Sequence, residues 1–539
     1  MGNINVNYAP LTKGAIRNIA EDEIPIGAWY DANGFTIEQG KFKTYPKWRV
    51  FNDYAAYDDD TYGRAVDFVQ FTDTIGSPEN FIITTTSILK DSGSGWVVQT
   101  PPRDETPTST PLTFNFRTSV QWTIGRDADG AALWIADGTN PLLKYSFATD
   151  TWTEVLTYFT AVRSVLYHDS RLWVAGPTTT QGTMMWWSNL NQPDTFATIS
   201  YMYFPERTLP ITRLKTLGQF LVIYFPDAVY VGQASGNPLL PYSFTDSQMR
   251  LVGLKGPYAI SDWQNGHLFL SKKGVFWLRP DRVIQEIECP IYDILYQEPT
   301  KVDNFYVITA PLSDDFYIGA PTGYLDECGR ILHYCTASQG WTYWETHADC
   351  LLVRQSQSTI DWGGDTHVLT VDNYSFDGTQ TSQAELIALF EAIGVYGGDD
   401  FLEFVSEVAP SCFVDGKNYL LSASAVVNGY EPNALPTLVL ETGDITFNEV
   451  DLNKTITRLR MRTTASGDQS WTLHGSIDKG VNWKDLGTFT VEATDEASIN
   501  FRLTGAECRL RLVCNGPSLP QYEIRDLSLR IRSRGLETT

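Results

Sequence analysis

The stretch AALWIADGTNPLLKYSFATDTWTEV, Ala131 to Val155, decides the fold class. Residues 133–136 read as a strand, Asp137, Gly138 and Pro141 as a tight turn, 142–147 as a second strand, and a polar corner ends at Trp152. That is a β-meander, and pieces of it return along most of the chain. Leu172-Trp173-Val174-Ala175 repeats Leu133-Trp134-Ile135-Ala136 after 39 positions, and looser copies begin at Phe81, Leu221, Leu268, Phe316 and Val368. The steps between successive anchors are 52, 39, 49, 47, 48 and 52 residues. An apolar residue followed seven positions on by Trp also recurs, at Leu89 and Trp96, Tyr145 and Trp152, and Tyr334 and Trp341. A period of roughly 40 to 50 residues made of short strands is the pattern of propeller blades. A single four-stranded blade has two apolar faces and covers neither alone, so blades must stack until a ring closes. The anchors predict an all-β chain built on a β-propeller of about six to eight blades.

Composition bounds what such a ring can do. The 539 residues carry 64 Asp and Glu against 40 Lys and Arg, a net charge of −24. Clamping nucleic acid needs an excess of cations, so tight DNA binding is excluded, whereas an acidic lining lets DNA slide past. Seven Cys, odd in number and without a CxxC pair, predict a reducing compartment with no structural disulfide. The start MGNINVNYAPLTKG lacks the basic and apolar regions of a signal peptide, and no apolar run approaches the ~20 residues of a spanning helix. Six scattered His, with no HxH or HExxH, give no zinc pattern. Neither GxSxG, GxxxxGKS nor GxGxxG after a strand occurs, so no catalytic residue, metal or cofactor is assigned. Asp58-Asp59-Asp60 lacks the spacing of a calcium loop and reads as a solvated turn.

The chain divides into four parts. Residues 1–60 form a turn-rich extended segment, in which 35–38 and 41–44 read as short strands of a hairpin with Asn33-Gly34 as its turn. The propeller spans 61–380. Its aromatic runs Met184-Met185-Trp186-Trp187 and Trp341-Thr342-Tyr343-Trp344 are expected between blades rather than on the surface. Residues 381–434 read as an insertion with one helix at 381–394, where Ser382 and Glu385 make a capping box and Gly394 ends it.

A C-terminal β-sandwich is expected over 435–539. Its strands alternate with Arg on one face, at Arg458, Arg460 and Arg462, at Arg509 and Arg511, and at Arg530 and Arg532. In an acidic chain these seven are the candidate subunit interface, where Arg meets a neighbour's carboxylates. Within the same part, Ser476, Asp478, Gly480 and Trp483 form an S-x-D-x-G-x-x-W stretch that resembles the Asp-box of sialidases and other β proteins. It reads as a structural hairpin turn in which Asp bonds turn amides and Trp packs beneath.

Two ends of the chain carry a wider resemblance. Pro10-Leu11, the run Asp22 to Ala28, Asp31-Ala32-Asn33-Gly34, Glu38 with Gly40-Lys41, and Tyr45-Pro46 resemble the opening of tail hub and nozzle proteins of short-tailed bacteriophages. The run Leu440 to Ile445 and the stretch from Arg530 to Gly535 resemble the C-terminal portion of that family. The resemblance implies a structural virion protein of the tail, assembled in the host cytoplasm as a homohexameric ring below the portal and adaptor. It further implies partners in the adaptor and tail fibre proteins, and double-stranded DNA passing through the lumen without specific binding. A carbohydrate-binding adhesin and a propeller glycoside hydrolase, which needs only two carboxylates, remain the alternatives.

Overall fold

The computed structural model describes residues 3–7, 13–20, 23–25, 28–38, 41–44, 47–50, 59–72, 78–92, 95–99, 120–155, 159–247, 251–296, 305–310, 314–321, 328–348, 350–355, 370–371, 374–375, 408–414, 417–422, 438–445, 453–465, 468–492, 496–514 and 522–533. The chain is nearly all β and propeller-like, a succession of small antiparallel four-strand units. Five sheets are complete meanders, opening with Ala65–Thr72, Gln121–Arg126, Ser164–His168, Arg213–Leu217 and Ile260–Trp263. A sixth meander opens with Tyr306–Thr309 and runs out to Gly340–Ala348.

The six anchors from Phe81 to Phe316 all fall in the second strand of their sheet. That strand is covered on both faces by neighbouring sheets, which is why it reads as an unbroken apolar run instead of an alternation. Leu133 to Ala136, Leu172 to Ala175 and Leu221 to Tyr224 are buried throughout. The recurring Trp sits on the fourth strand directly opposite its apolar partner, Tyr145 against Trp152 and Tyr334 against Trp341. Leu89 instead pairs with Val98. Adjacent sheets approach closely: a Cβ on Gly125 would stand 2.3 Å from the ring of Tyr167 in the next sheet.

A further four-stranded sheet corrects the sequence reading. Cys350–Gln355 pairs with Val408–Val414, which pairs with Lys417–Ser422, and the fourth strand is Lys47–Val50 from the N-terminal segment. The second strand therefore begins at Val408, about forty residues beyond the anchor expected at Val368, and Val408–Val414 and Lys417–Ser422 belong to this sheet rather than to an insertion. The helix expected at 381–394 lies outside the described residues. Cys350–Gln355 lies between Tyr306–Thr309 and Ala65–Thr72, so the last sheet stands beside both the sixth and the first.

The sandwich draws strands from both chain ends. One sheet runs Phe35–Glu38, Lys41–Thr44, Tyr522–Ser533, Lys454–Ala465, Glu496–Gly505, with Asn3–Asn7 also on Tyr522–Ser533. The hairpin of 35–38 with 41–44 forms, with Glu38 opposite Lys41, and Asn33-Gly34 is the corner leading into it rather than its turn. The other sheet runs Asp31–Asn33, Leu438–Glu441, Arg509–Cys514, Gln469–Ser476, Lys484–Val491. Through Asn33 beside Tyr343 it continues the sixth meander, so nine strands cross from one body to the other. Trp471, Leu473, Leu510 and Leu512 meet Leu459, Met461, Leu527 and Leu529 in the core.

Trp173 is fully buried against Trp187 and Tyr242. Trp173→Ala is expected to lower stability by about 3–5 kcal/mol, read from the denaturant midpoint at unchanged slope.

Candidate functional site

Three places gather charge: the seam between the two bodies, the axis on which the first strands converge, and the outer face of the sandwich.

At the seam, the 31–33 strand threads between the sixth meander and the 438–441 strand. Glu441 is 3% exposed and is gripped by Arg509 (3.2 Å) and Arg511 (2.6 Å), while Arg509 also pairs with Asp444 (3.1 Å). The Tyr30 ring stands between two guanidiniums, Arg17 at 5.1 Å and Arg509 at 4.9 Å. Arg17 in turn pairs with Asp31 at 3.0 Å, whose other oxygen accepts from the Tyr343 hydroxyl at 2.7 Å. Burial pushes the Glu441 carboxyl above its usual range despite both arginines. Arg509 and Arg511 are thus placed in an internal lock, apart from the other five arginines.

The Asp-box residues adjoin this lock on the hairpin between Gln469–Ser476 and Lys484–Val491. Asp478 accepts from Ser476 Oγ (2.6 Å), the Asn482 amide (3.0 Å) and Asn482 Nδ2 (2.7 Å), which hold its carboxyl down at about 2. Gly480 has φ +81°, and a Cβ there would stand 3.0 Å from Arg509 Nη1. Trp483 lies under the Arg511 guanidinium at 4.1 Å. Every member of the box is engaged in building the turn.

On the axis, the mouth where the first strands begin is bridged by hydrogen bonds. Gln121 Nε2 donates to Thr212 O (2.6 Å), Ser164 Oγ donates to Gln121 Oε1, and the Val120 amide donates to the Tyr258 hydroxyl (2.8 Å). These bonds tie the starts of four sheets together. Below them Lys215 pairs with Asp262 at 2.7 Å, and Trp122 Nε1 donates to Asp67 at 3.0 Å. The Asp262 side chain is 75% exposed, while its partner Lys215 is 16% exposed. Burial pushes the Asp67 carboxyl up to about 6, against its bonds from Phe68 N and Trp122 and the charge of Arg213. Burial also opposes ionisation of Asp262, but Lys215 holds that carboxyl below its usual range. Beside them His267 donates from Nε2 to Thr216 O (2.7 Å) and accepts at Nδ1 from the Tyr224 hydroxyl (2.9 Å). Burial and Lys215 push it down to about 4, so it is a neutral packing group. The sequence reading missed this axial set because Asp67, Arg213, Lys215 and Asp262 lie on three different first strands with no shared motif.

The expected aromatic runs are mostly core. Met185, Trp187, Trp341 and Trp344 are buried, whereas Trp186 is half-buried and lies 5.3 Å from the more exposed Tyr201. Asp59–Tyr62 form one helical turn, and no group of three metal-ligating side chains occurs among the described residues.

The chain matches no protein-family model. No curated protein matches it either. Among solved structures it is similar to the extracellular domain of a hybrid two-component system from B. thetaiotaomicron, at 12% identity and a TM-score of 0.34, covering 80% of this chain and 50% of that one. This chain therefore spans half the length of that relative. It is also similar to an exo-β-1,3-galactanase from Phanerochaete chrysosporium, at 10% identity over 89% of this chain and all of that one, TM-score 0.26. A third is a dihydro-heme d1 dehydrogenase, at 9% identity over 56% of this chain and 64% of that one, TM-score 0.35. None of the three is a phage tail protein, and likenesses this distant carry no argument about activity.

Two measurements check the site. Glu441→Ala leaves Arg509 buried with Asp444 as its remaining carboxylate partner and is expected to cost about 3–5 kcal/mol, whereas a surface Glu→Ala costs under ~1 kcal/mol. For Asp67 the folded pKa stands above the unfolded one, so its ionisation destabilises the fold; that penalty is absent below about pH 4 and complete above about pH 6. Asp67→Asn removes it, so the stability of the variant relative to the parent is expected to fall as pH drops from 7 to 4.

Proposed function

We propose that this chain is a structural subunit of a short-tailed phage tail, forming with its copies the hub or nozzle ring below the portal and adaptor. The seven four-strand units are read as the blades of one closed propeller, with Lys47–Val50 as the N-terminal strand that completes the last blade. One observation carries the reading. The two stretches with tail-protein resemblance, Asp31 to Gly34 and Leu440 to Ile445, lie four hundred residues apart in sequence yet pair strand to strand, Asp31 opposite Glu441 and Ala32 opposite Leu440. They meet at the seam that locks propeller to sandwich, so what resembles the family is the part that sets the shape of the subunit. Since hydrogen bonds bridge the propeller axis, the passage for DNA lies between copies, a homohexamer enclosing an acidic lumen that does not retain the duplex. Tail adaptor and tail fibre proteins are the partners, and the virion tail is the destination.

A second reading, a glycoside hydrolase, is favoured by one observation: two axial carboxyls pushed apart, Asp67 up to about 6 and Asp262 below its usual range, as an acid and a base would be. Light scattering of the purified protein at high concentration separates the two. A six-fold ring, alone or on an adaptor, is the expected result. A monomer at every concentration that hydrolyses a model glycoside, and loses this activity in Asp67→Asn, would overturn the tail reading.

A further inference from the structure

The outer face of the sandwich sheet formed by Lys454–Ala465 and Tyr522–Ser533 breaks a rule of sheet design. Arg458 stands directly opposite Arg530, where like charges sit ~5 Å apart at Cβ and repel. The row through them reads Asn5, Arg530, Arg458, Asn500 across four strands, with no carboxylate in it. Arg458 donates only to Ser498 Oγ (2.8 Å), and no carboxylate pairs with Arg458 or Arg530 among the described residues. In the neighbouring rows Glu496 is shared by Arg460 and Arg462, and Asp526 faces Arg462. Glu523 on the same strand pairs with Lys41 and Arg525, so the row of Arg458 and Arg530 is left without a carboxylate in a chain whose net charge is −24.

Behind this face the same strands bury Leu459, Met461, Leu527, Leu529 and Ile531, so the arginines stand on a strand pair anchored in the core. Such an array desolvates favourably only against anions set at a matching pitch. A DNA backbone would be repelled by the rest of the chain, whereas the acidic excess of the chain itself supplies carboxylates.

We propose that this arginine face, centred on Arg458 and Arg530, docks a carboxylate-rich surface of a second copy of this chain. The inference rests on the ring reading and names the surface that ring would use. It separates the interface arginines from Arg509 and Arg511, which are spent inside the subunit.

The test is the double variant Arg458→Ser/Arg530→Ser of the full chain, followed by sedimentation and by hydrogen exchange. Self-association of the wild type is expected to weaken on the order of ten- to a hundredfold in the variant and to weaken steeply with salt in the wild type. The melting temperature of the variant is expected to be unchanged or higher, because a repelling pair has been removed. Assembly of the wild type should protect amides in 454–465 and 522–533. A variant that assembles like the wild type, or a face that stays open to exchange in the assembly, overturns this inference and leaves the ring reading standing. A wild type that remains monomeric at every concentration overturns both, as does retention of a DNA oligonucleotide by this face in place of a second copy.

Discussion

The interaction on which the rest of the structure depends is the buried carboxylate of Glu441 held between Arg509 and Arg511. It stands where an N-terminal strand is inserted between the propeller-like body and the sandwich, and it is coupled through Tyr30 to Arg17 and Asp31. A hydrophobic contact would tolerate small slips of one sheet past the other. A bidentate ion pair inside protein does not, because displacing either partner leaves an uncompensated charge in a poorly solvating medium. The lock thus contributes less to net stability than to holding the two bodies in one arrangement.

The same contrast between buried and open charge organises the other two sites. Along the axis, hydrogen bonds join the starts of four sheets, and burial raises the Asp67 carboxyl while Lys215 holds Asp262 below its usual range. On the outer sheet, Arg458 and Arg530 face each other with no carboxylate in their row. One chain therefore uses arginine in two ways: as an internal clamp where its charge is spent, and as an external array where it is not.

Part of this was legible from residue order. The anchors at Phe81, Leu133, Leu172, Leu221, Leu268 and Phe316 were visible because a strand covered on both faces must be apolar at every position, a constraint that acts on contiguous residues. The alternation of Arg with Leu and Met over 458–462 was visible for the related reason that one face of the strand is core and the other is water. The Asp-box was visible because its bonds close within a handful of residues. The anchor at Val368 lies outside the described residues, and the second strand of the last sheet, Val408–Val414, was not legible because a long separation between paired strands leaves no trace in a repeat count.

Sequence alone therefore determined the class of the fold, the repeating unit and the basic strands, all of which are local consequences of burial and period. Tertiary structure alone decided that residues 47–50 complete the last sheet, that Asp31 and Glu441 are neighbours, that two of the seven arginines close on Glu441, and that hydrogen bonds join the starts of four sheets. Each of these joins segments tens to hundreds of residues apart. No local propensity encodes such pairings, because they are chosen by which distant surfaces remain uncovered once the local units have formed.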